Sequence, residues 1–264
     1  MTKNILTLLG AFALLTVMAI TVQAATIFHE DYSTTAGFPG VDVTSLGWTK
    51  NNGTVYAIER DLLDGLSNPG GVGRSDNNFM SYTKALDTPI ASLNAGEAFE
   101  VSEYYGYFPT ITAGNHDGNH RVSLGTQNLG WDVSLKAGGG SATADEAVIL
   151  HGVNAAPTVA YNIGHPWRVK MTVTGTGGGN ADIDWVLTNG GGASATDIDL
   201  GSESDVSIAL PINDISILTS GIAFANGTGW WDDTLVTFVV PEPSSCLLLV
   251  LGALGLTRVR RNRR

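Results

Sequence analysis

Cysteine is almost missing from this chain: one residue in 264, Cys246, set in an apolar stretch near the C-terminus. No disulfide can staple the rest, so the fold must hold by burial and hydrogen bonding alone. Basic residues are scarce as well, 14 Lys and Arg against 25 Asp and Glu. Six of the 14 (Lys3, Arg258, Arg260, Arg261, Arg263 and Arg264) stand at the two ends. Eight bases therefore face all 25 acids in the stretch between, a net charge of −17. Such a surface repels DNA, RNA and anionic lipid, and no nucleic-acid partner is expected. Sustained helical periodicity is absent, as is any glycine-rich phosphate loop joining a strand to a helix. No Ser/His/Asp constellation can be assembled from spacing.

What the ends do contain is more specific. Lys3 precedes an almost wholly apolar run from Ile5 to Val22, and Val22-Gln23-Ala24 offers the small residues a signal peptidase needs. Residues 1–24 are expected to be a signal-peptide helix, cut after Ala24 so that the mature chain begins at Ala25. At the other end Pro241-Glu242-Pro243 excludes helix. An unbroken apolar run, Cys246–Leu256, and the arginine cluster follow. Eleven apolar residues without a polar face do not suit a surface helix. The run is also short of the roughly 20 residues that a permanent span requires. A transient hydrophobic helix is expected, with Arg258, Arg260 and Arg261 held on the cytoplasmic side.

The order of Pro-Glu-Pro, apolar helix and arginine cluster over residues 240–264 resembles the PEP-CTERM sorting signal of exported bacterial proteins. The resemblance implies recognition of Pro241, Glu242 and Pro243 by a membrane sorting enzyme of the exosortase type. It also implies brief residence in the inner membrane, then release or transfer to the cell surface, usually beside extracellular polysaccharide.

The stretch between, residues 25–239, is long enough for one large β domain. Thirty of the chain's 33 glycines lie here, many in segments such as Ala137–Ala144, Gly175–Asn180 and Asn189–Ser194, which punctuate short β-rich runs. Trp167, Val169, Met171 and Val173 alternate with Arg168, Lys170, Thr172 and Thr174. After the glycine turn, Ile183, Trp185 and Leu187 alternate with Asp182 and Asp184. This predicts a hairpin over 167–187, with Arg168 and Lys170 facing Asp182 or Asp184 across its outer surface. Further strands are expected at 26–32, 54–59, 79–84, 97–107, 121–125, 131–136, 147–151, 222–225 and 234–239.

The opening Ile27-Phe28-His29-Glu30-Asp31-Tyr32 with Gly47-Trp48 is similar to the start of concanavalin A-like, laminin-G-like jelly rolls. So are the strand Phe99–Tyr107, the strand Trp167–Thr174 and the closing Trp231-Asp232-Asp233-Thr234. The resemblance implies an all-β jelly-roll sandwich whose first and last strands pair.

Four constellations could carry chemistry. On the strand 97–108, Glu103 shares a face with Phe99, Val101, Tyr105 and Tyr107, so its carboxylate needs a buried partner. Glycosidases of this fold carry a Glu-x-Asp-x-x-Glu strand. Aligned at Glu100, this chain has Ser102 and Tyr105 where the other two acids belong. Glu100 and Glu103 face opposite sides, so no enzyme activity is expected. His116-Asp117-Gly118-Asn119-His120 is expected as a polar loop, with a shared metal as the sharper alternative. Asp197, Asp199, Glu203 and Asp205 are expected on an acidic loop where hard oxygen ligands could hold calcium; otherwise no cofactor is implied. Trp230, Trp231 and Tyr104 are candidates for stacking on sugar rings, alongside Trp48 and Trp131 if exposed. The expected function is a non-enzymatic exported protein of the cell surface or extracellular matrix. A lectin-like carbohydrate-binding module is the alternative.

Overall fold

The structure, a computed structural model, describes residues 23–34, 40–53, 55–59, 71–75, 79–107, 116–127, 129–137, 145–151, 154–155, 159–161, 167–188, 197–221 and 229–240. By its contacts the chain divides into one unit, Ala25–Phe238, and a second made of residues 1–24 and 239–264. Of the second only Gln23, Ala24, Val239 and Val240 are described. The expected terminal helices, the Pro-Glu-Pro motif and the arginine cluster lie outside the described residues, as does the strand expected at 222–225. Among the described residues no helix is long and apolar enough to cross a membrane.

Among its described residues the unit Ala25–Phe238 is built of β-strands apart from one 3-10 turn, Val43–Leu46. The described strands are β1 (Gln23–Glu30), β2 (Val41–Asp42), β3 (Thr49–Asn52), β4 (Val55–Glu59), β5 (Gly71–Ser75) and β6 (Phe79–Ile90). They continue with β7 (Ala98–Tyr107), β8 (His116–Leu124), β9 (Leu129–Ala137), β10 (Asp145–His151), β11 (Asn154–Ala155) and β12 (Val159–Tyr161). The last are β13 (Trp167–Gly177), β14 (Asn180–Thr188), β15 (Asp197–Ser207), β16 (Ile212–Gly221) and β17 (Gly229–Val240). They form two sheets. The first runs β15-β14-β13-β7-β17-β5-β4-β2, with β1 also paired to β17; the second runs β11-β10-β9-β8-β16-β6-β3, with β12 on β10. The first and last strands pair, as the jelly-roll resemblance implies.

Alternation explains which faces meet. Phe99, Val101 and Tyr105 of β7, Val169, Met171 and Val173 of β13, and Ile183, Trp185 and Leu187 of β14 are buried. From the second sheet Val122, Trp131, Val133, Ile215 and Ile217 join the same core. At ~25 cal/mol per Å² of apolar surface, burying aromatic and branched side chains supplies the dominant favourable term. Trp185 Nε1 donates to the carbonyl of Gly130, 3.2 Å away on the opposite sheet. Glycine is required there, because a Cβ on Gly130 would lie 1.8 Å from the Val122 carbonyl oxygen.

The 167–187 hairpin forms as expected, but its cross-strand neighbours differ. The register sets Arg168 opposite Thr188 and Lys170 opposite Val186, while Asp184 meets Thr172 and Asp182 meets Thr174. The short turn through Gly177, Gly178 and Gly179 fixes that register, so the bases and acids are staggered along the hairpin rather than directly opposite. Arg168 and Lys170 turn instead to β7, where they lie opposite Tyr104 and Ser102.

Candidate functional site

β7 carries the most informative side chains, one set on each face. Its inner face places Glu103 at 0% exposure. Thr234 Oγ1 of β17 donates to Glu103 Oε1 at 2.5 Å. His120 Nε2 of β8 lies 2.9 Å from Glu103 Oε2. Because the one Thr234 hydroxyl proton is committed to Glu103, the Tyr32 hydroxyl, 3.1 Å from Thr234 Oγ1, must donate to it. Tyr105 also bonds Glu103, and its oxygen accepts from Trp131 Nε1 at 2.8 Å. The His120 ring packs 4.4 Å from that of Trp231. Burial, reinforced by the charge of Glu103, pushes the hydroxyls of Tyr32 and Tyr105 well above their usual value of 10. The partner that Glu103 was expected to need is therefore a set of donors drawn from both sheets.

A second buried carboxylate was not foreseen. Glu30, at the end of β1, is 5% exposed. Its Oε2 accepts from Lys84 Nζ at 2.6 Å and from Trp48 Nε1 at 3.0 Å. Its Oε1 accepts the Tyr32 N–H at 3.1 Å. That last bond holds Tyr32 at φ +49°, a left-handed conformation unusual for a bulky residue. Lys84 also lies over the rings of Phe28 and Trp48, at 5.6 and 5.9 Å. The available signal was alternation: Phe28 and Glu30 share the inner side of β1, while His29 between them is exposed.

The outer face of β7 is polar. Arg168 of β13 lies over the ring of Tyr104, 5.4 Å from its centroid, and donates through Nη2 to Ser102 Oγ at 2.5 Å. Further along, Lys170 Nζ meets Glu100 Oε1 at 3.3 Å, and Thr172 Oγ1 donates to the same oxygen at 3.4 Å. Glu100 and Glu103 lie on opposite faces, as the alternation predicted, and cannot flank one glycosidic bond.

Other expected sites are placed differently. The segment from His116 is not a loop: it is the start of β8, paired to β9 and β16. Residues four apart on a strand are about 13 Å apart, too far for His116 and His120 to share a metal. Side-chain positions of His116 and Asp117 are outside the described residues. The acidic segment is likewise a strand, β15, paired to β14. Its carboxylates bond locally: Asp197 accepts from the Thr188 hydroxyl, Asp199 from the Gly201 N–H and Asp205 from the Asn180 amide. Extension along a strand keeps Asp197, Asp199, Glu203 and Asp205 from converging. Among the described residues no three His, Cys, Asp or Glu side chains are grouped to hold a metal ion.

Three of the four candidate tryptophans are interior. Trp48, Trp131 and Trp231 are 2%, 2% and 0% exposed, so none of these three can stack on a sugar. Trp231 turns inward against Gly73, where a Cβ would lie 2.3 Å from Nε1. Trp230 is on β17, its side chain outside the described residues. Tyr104 remains half-buried on the outer face. Ala24, the expected cleavage position, is exposed within β1.

No family model matches the sequence, and no curated protein does. Among solved structures the chain is similar to the CBM2 module of the evolved Dit of Lactobacillus casei BL23 phage J-1, at 14% identity and TM-score 0.42, covering 83% of this chain and 97% of that one. It is similar to a conserved carbohydrate esterase of the Shiga toxin-encoding bacteriophage phi24B, at 9% identity and TM-score 0.46, covering 83% and 100%. It is similar also to lectin II from Ulex europaeus, at 11% identity and TM-score 0.40, covering 81% and 99%. All three scores lie below 0.5, so neither activity nor ligand carries over from them.

Proposed function

We propose that the chain is a non-enzymatic exported protein of the bacterial cell surface or extracellular matrix, delivered by a PEP-CTERM-type segment and associated with exopolysaccharide. Its body is a concanavalin A-like jelly roll. One observation carries the proposal: Pro241-Glu242-Pro243, the apolar run Cys246–Leu256 and the arginines Arg258, Arg260 and Arg261 follow one another in that order. The distal arginines resist translocation, so the body stands outside the inner membrane while the tail is held from within. Signal peptidase would act after Ala24 and an exosortase-type enzyme near Pro-Glu-Pro. The absence of an aligned carboxylate pair on β7 supports a binding or structural role over hydrolysis.

Intact mass spectrometry of the exported protein tests this. The expected product begins at Ala25 and lacks the apolar run and arginines. Replacing Pro241, Glu242 and Pro243 by alanine should leave uncut chain in the inner membrane. Recovery of surface protein that retains Arg258–Arg264, or of the body in the cytosol, would overturn the proposal.

Lectin-like sugar binding is a second possibility, favoured by Tyr104 on the outer face beside Arg168. Titration of neutral glycans with and without EDTA tests it, and the EDTA arm decides whether binding depends on a divalent cation.

A further inference from the structure

Among the described residues, Arg168 differs from the bases that pair with acids. Lys84 meets Glu30, Arg121 meets Asp132 at 2.6 Å, and Lys170 meets Glu100. Among the described residues Arg168 meets no carboxylate, although acids outnumber bases by 24 to eight in the body, residues 25–239. Its guanidinium is nevertheless held in place. Nη2 is bonded to Ser102, which is 2% exposed, and the plane lies over Tyr104. Nε is buried and has no acceptor among the described residues. Thr188, opposite on β14, directs its hydroxyl away to Asp197.

We propose that Arg168, seated on Tyr104 and pinned by Ser102, is a carboxylate-reading position for an acidic sugar residue on the outer face of β7 and β13. With Nε buried and one Nη2 proton given to Ser102, the terminal edge of the guanidinium fork, formed by Nη1 and Nη2, is left to meet a carboxylate in two parallel bonds. Ring and hydroxyl already fix the fork, so less freedom is lost when a ligand arrives. A body with a net charge of −16 makes a uniformly charged polymer a poor partner. The ligand class is therefore a largely neutral glycan whose uronic acid groups are set apart along the chain. This rests on the exopolysaccharide association proposed above.

The test uses the exported protein and glucuronoxylan oligosaccharides bearing one glucuronate each, beside the same oligosaccharides with the carboxyl reduced to an alcohol. Calorimetric titration should give at least tenfold tighter binding of the acid form, weakening with salt. Arg168→Gln should abolish that preference while its thermal melt stays near wild type, and Arg168→Lys should not restore it. Equal binding of the acid and reduced forms would overturn the inference even if Arg168→Gln failed to fold. So would an undiminished preference in Arg168→Gln or a full one in Arg168→Lys. Binding of neither glycan would also overturn it, while export and processing, read by intact mass, would stand untouched.

Discussion

Glu30 and Glu103 are both sealed carboxylates, yet the chain stabilises them by different chemistry. Glu30 sits near the rim of the sandwich and meets a full opposite charge, Lys84, whose side chain is 23% exposed. Glu103 lies deeper and is surrounded mainly by hydroxyl groups, with His120 as its ring-nitrogen partner. Near the rim a flexible lysine can bring its charge in from water along an apolar stem. In the centre such a stem would have nowhere to go, so short donors from β8 and β17 converge instead. An ion pair near solvent tolerates the loss of one member better than a closed network does.

Four experiments sharpen or break that contrast. Glu103→Ala should have the largest effect, a loss of about 3–5 kcal/mol in urea unfolding, since His120, Thr234 and Tyr105 lose their common acceptor. Lys84→Met should lose about 1–3 kcal/mol, because Glu30 keeps the Trp48 and Tyr32 donors. If Lys84→Met proved the more damaging, the ranking of rim and centre would be reversed.

The third experiment varies pH. The folded chain holds Tyr32 and Tyr105 neutral beyond the value of 10 at which the unfolded chain ionises them. Stability should be unaffected by these groups below pH 10. It should then fall as pH rises, because the unfolded state releases protons that the folded state retains. Thermal melts from pH 8 to 11 read this, and Tyr105→Phe should flatten the alkaline limb. The smallest effect belongs to the outer face. Lys170→Gln should change stability by no more than about 0.5 kcal/mol, since both partners are 37% exposed and solvent screens the pair.

Much of the sandwich was legible in the sequence where two-residue alternation is clean. The 167–187 hairpin and the two faces of β7 followed from it directly. β8 was harder, since Gly118 and its asparagine neighbours look like a turn; pairing on both sides overrides that local preference. β15 looked like an acidic loop because an edge strand carries charge that a central strand would not. β16 went unrecognised although Ile212, Ile215 and Ile217 are buried. Its register shifts between Ile212 and Asp214, which breaks the strict alternation. In the candidate site, Glu103 announced its need for a partner. That His120 supplies it depends on the other sheet, and Arg168 could not be separated from Asp182 and Asp184 until the turn fixed the register.

The position of β17 has a mechanical consequence. It runs between β7 and β5 and also takes β1, and its last residue, Val240, adjoins the Pro-Glu-Pro segment. If the protein is tethered there, drag from flowing liquid enters the middle of a sheet rather than its border. Such a pull must shear hydrogen bonds on both flanks together, whereas a border strand would peel away one bond at a time.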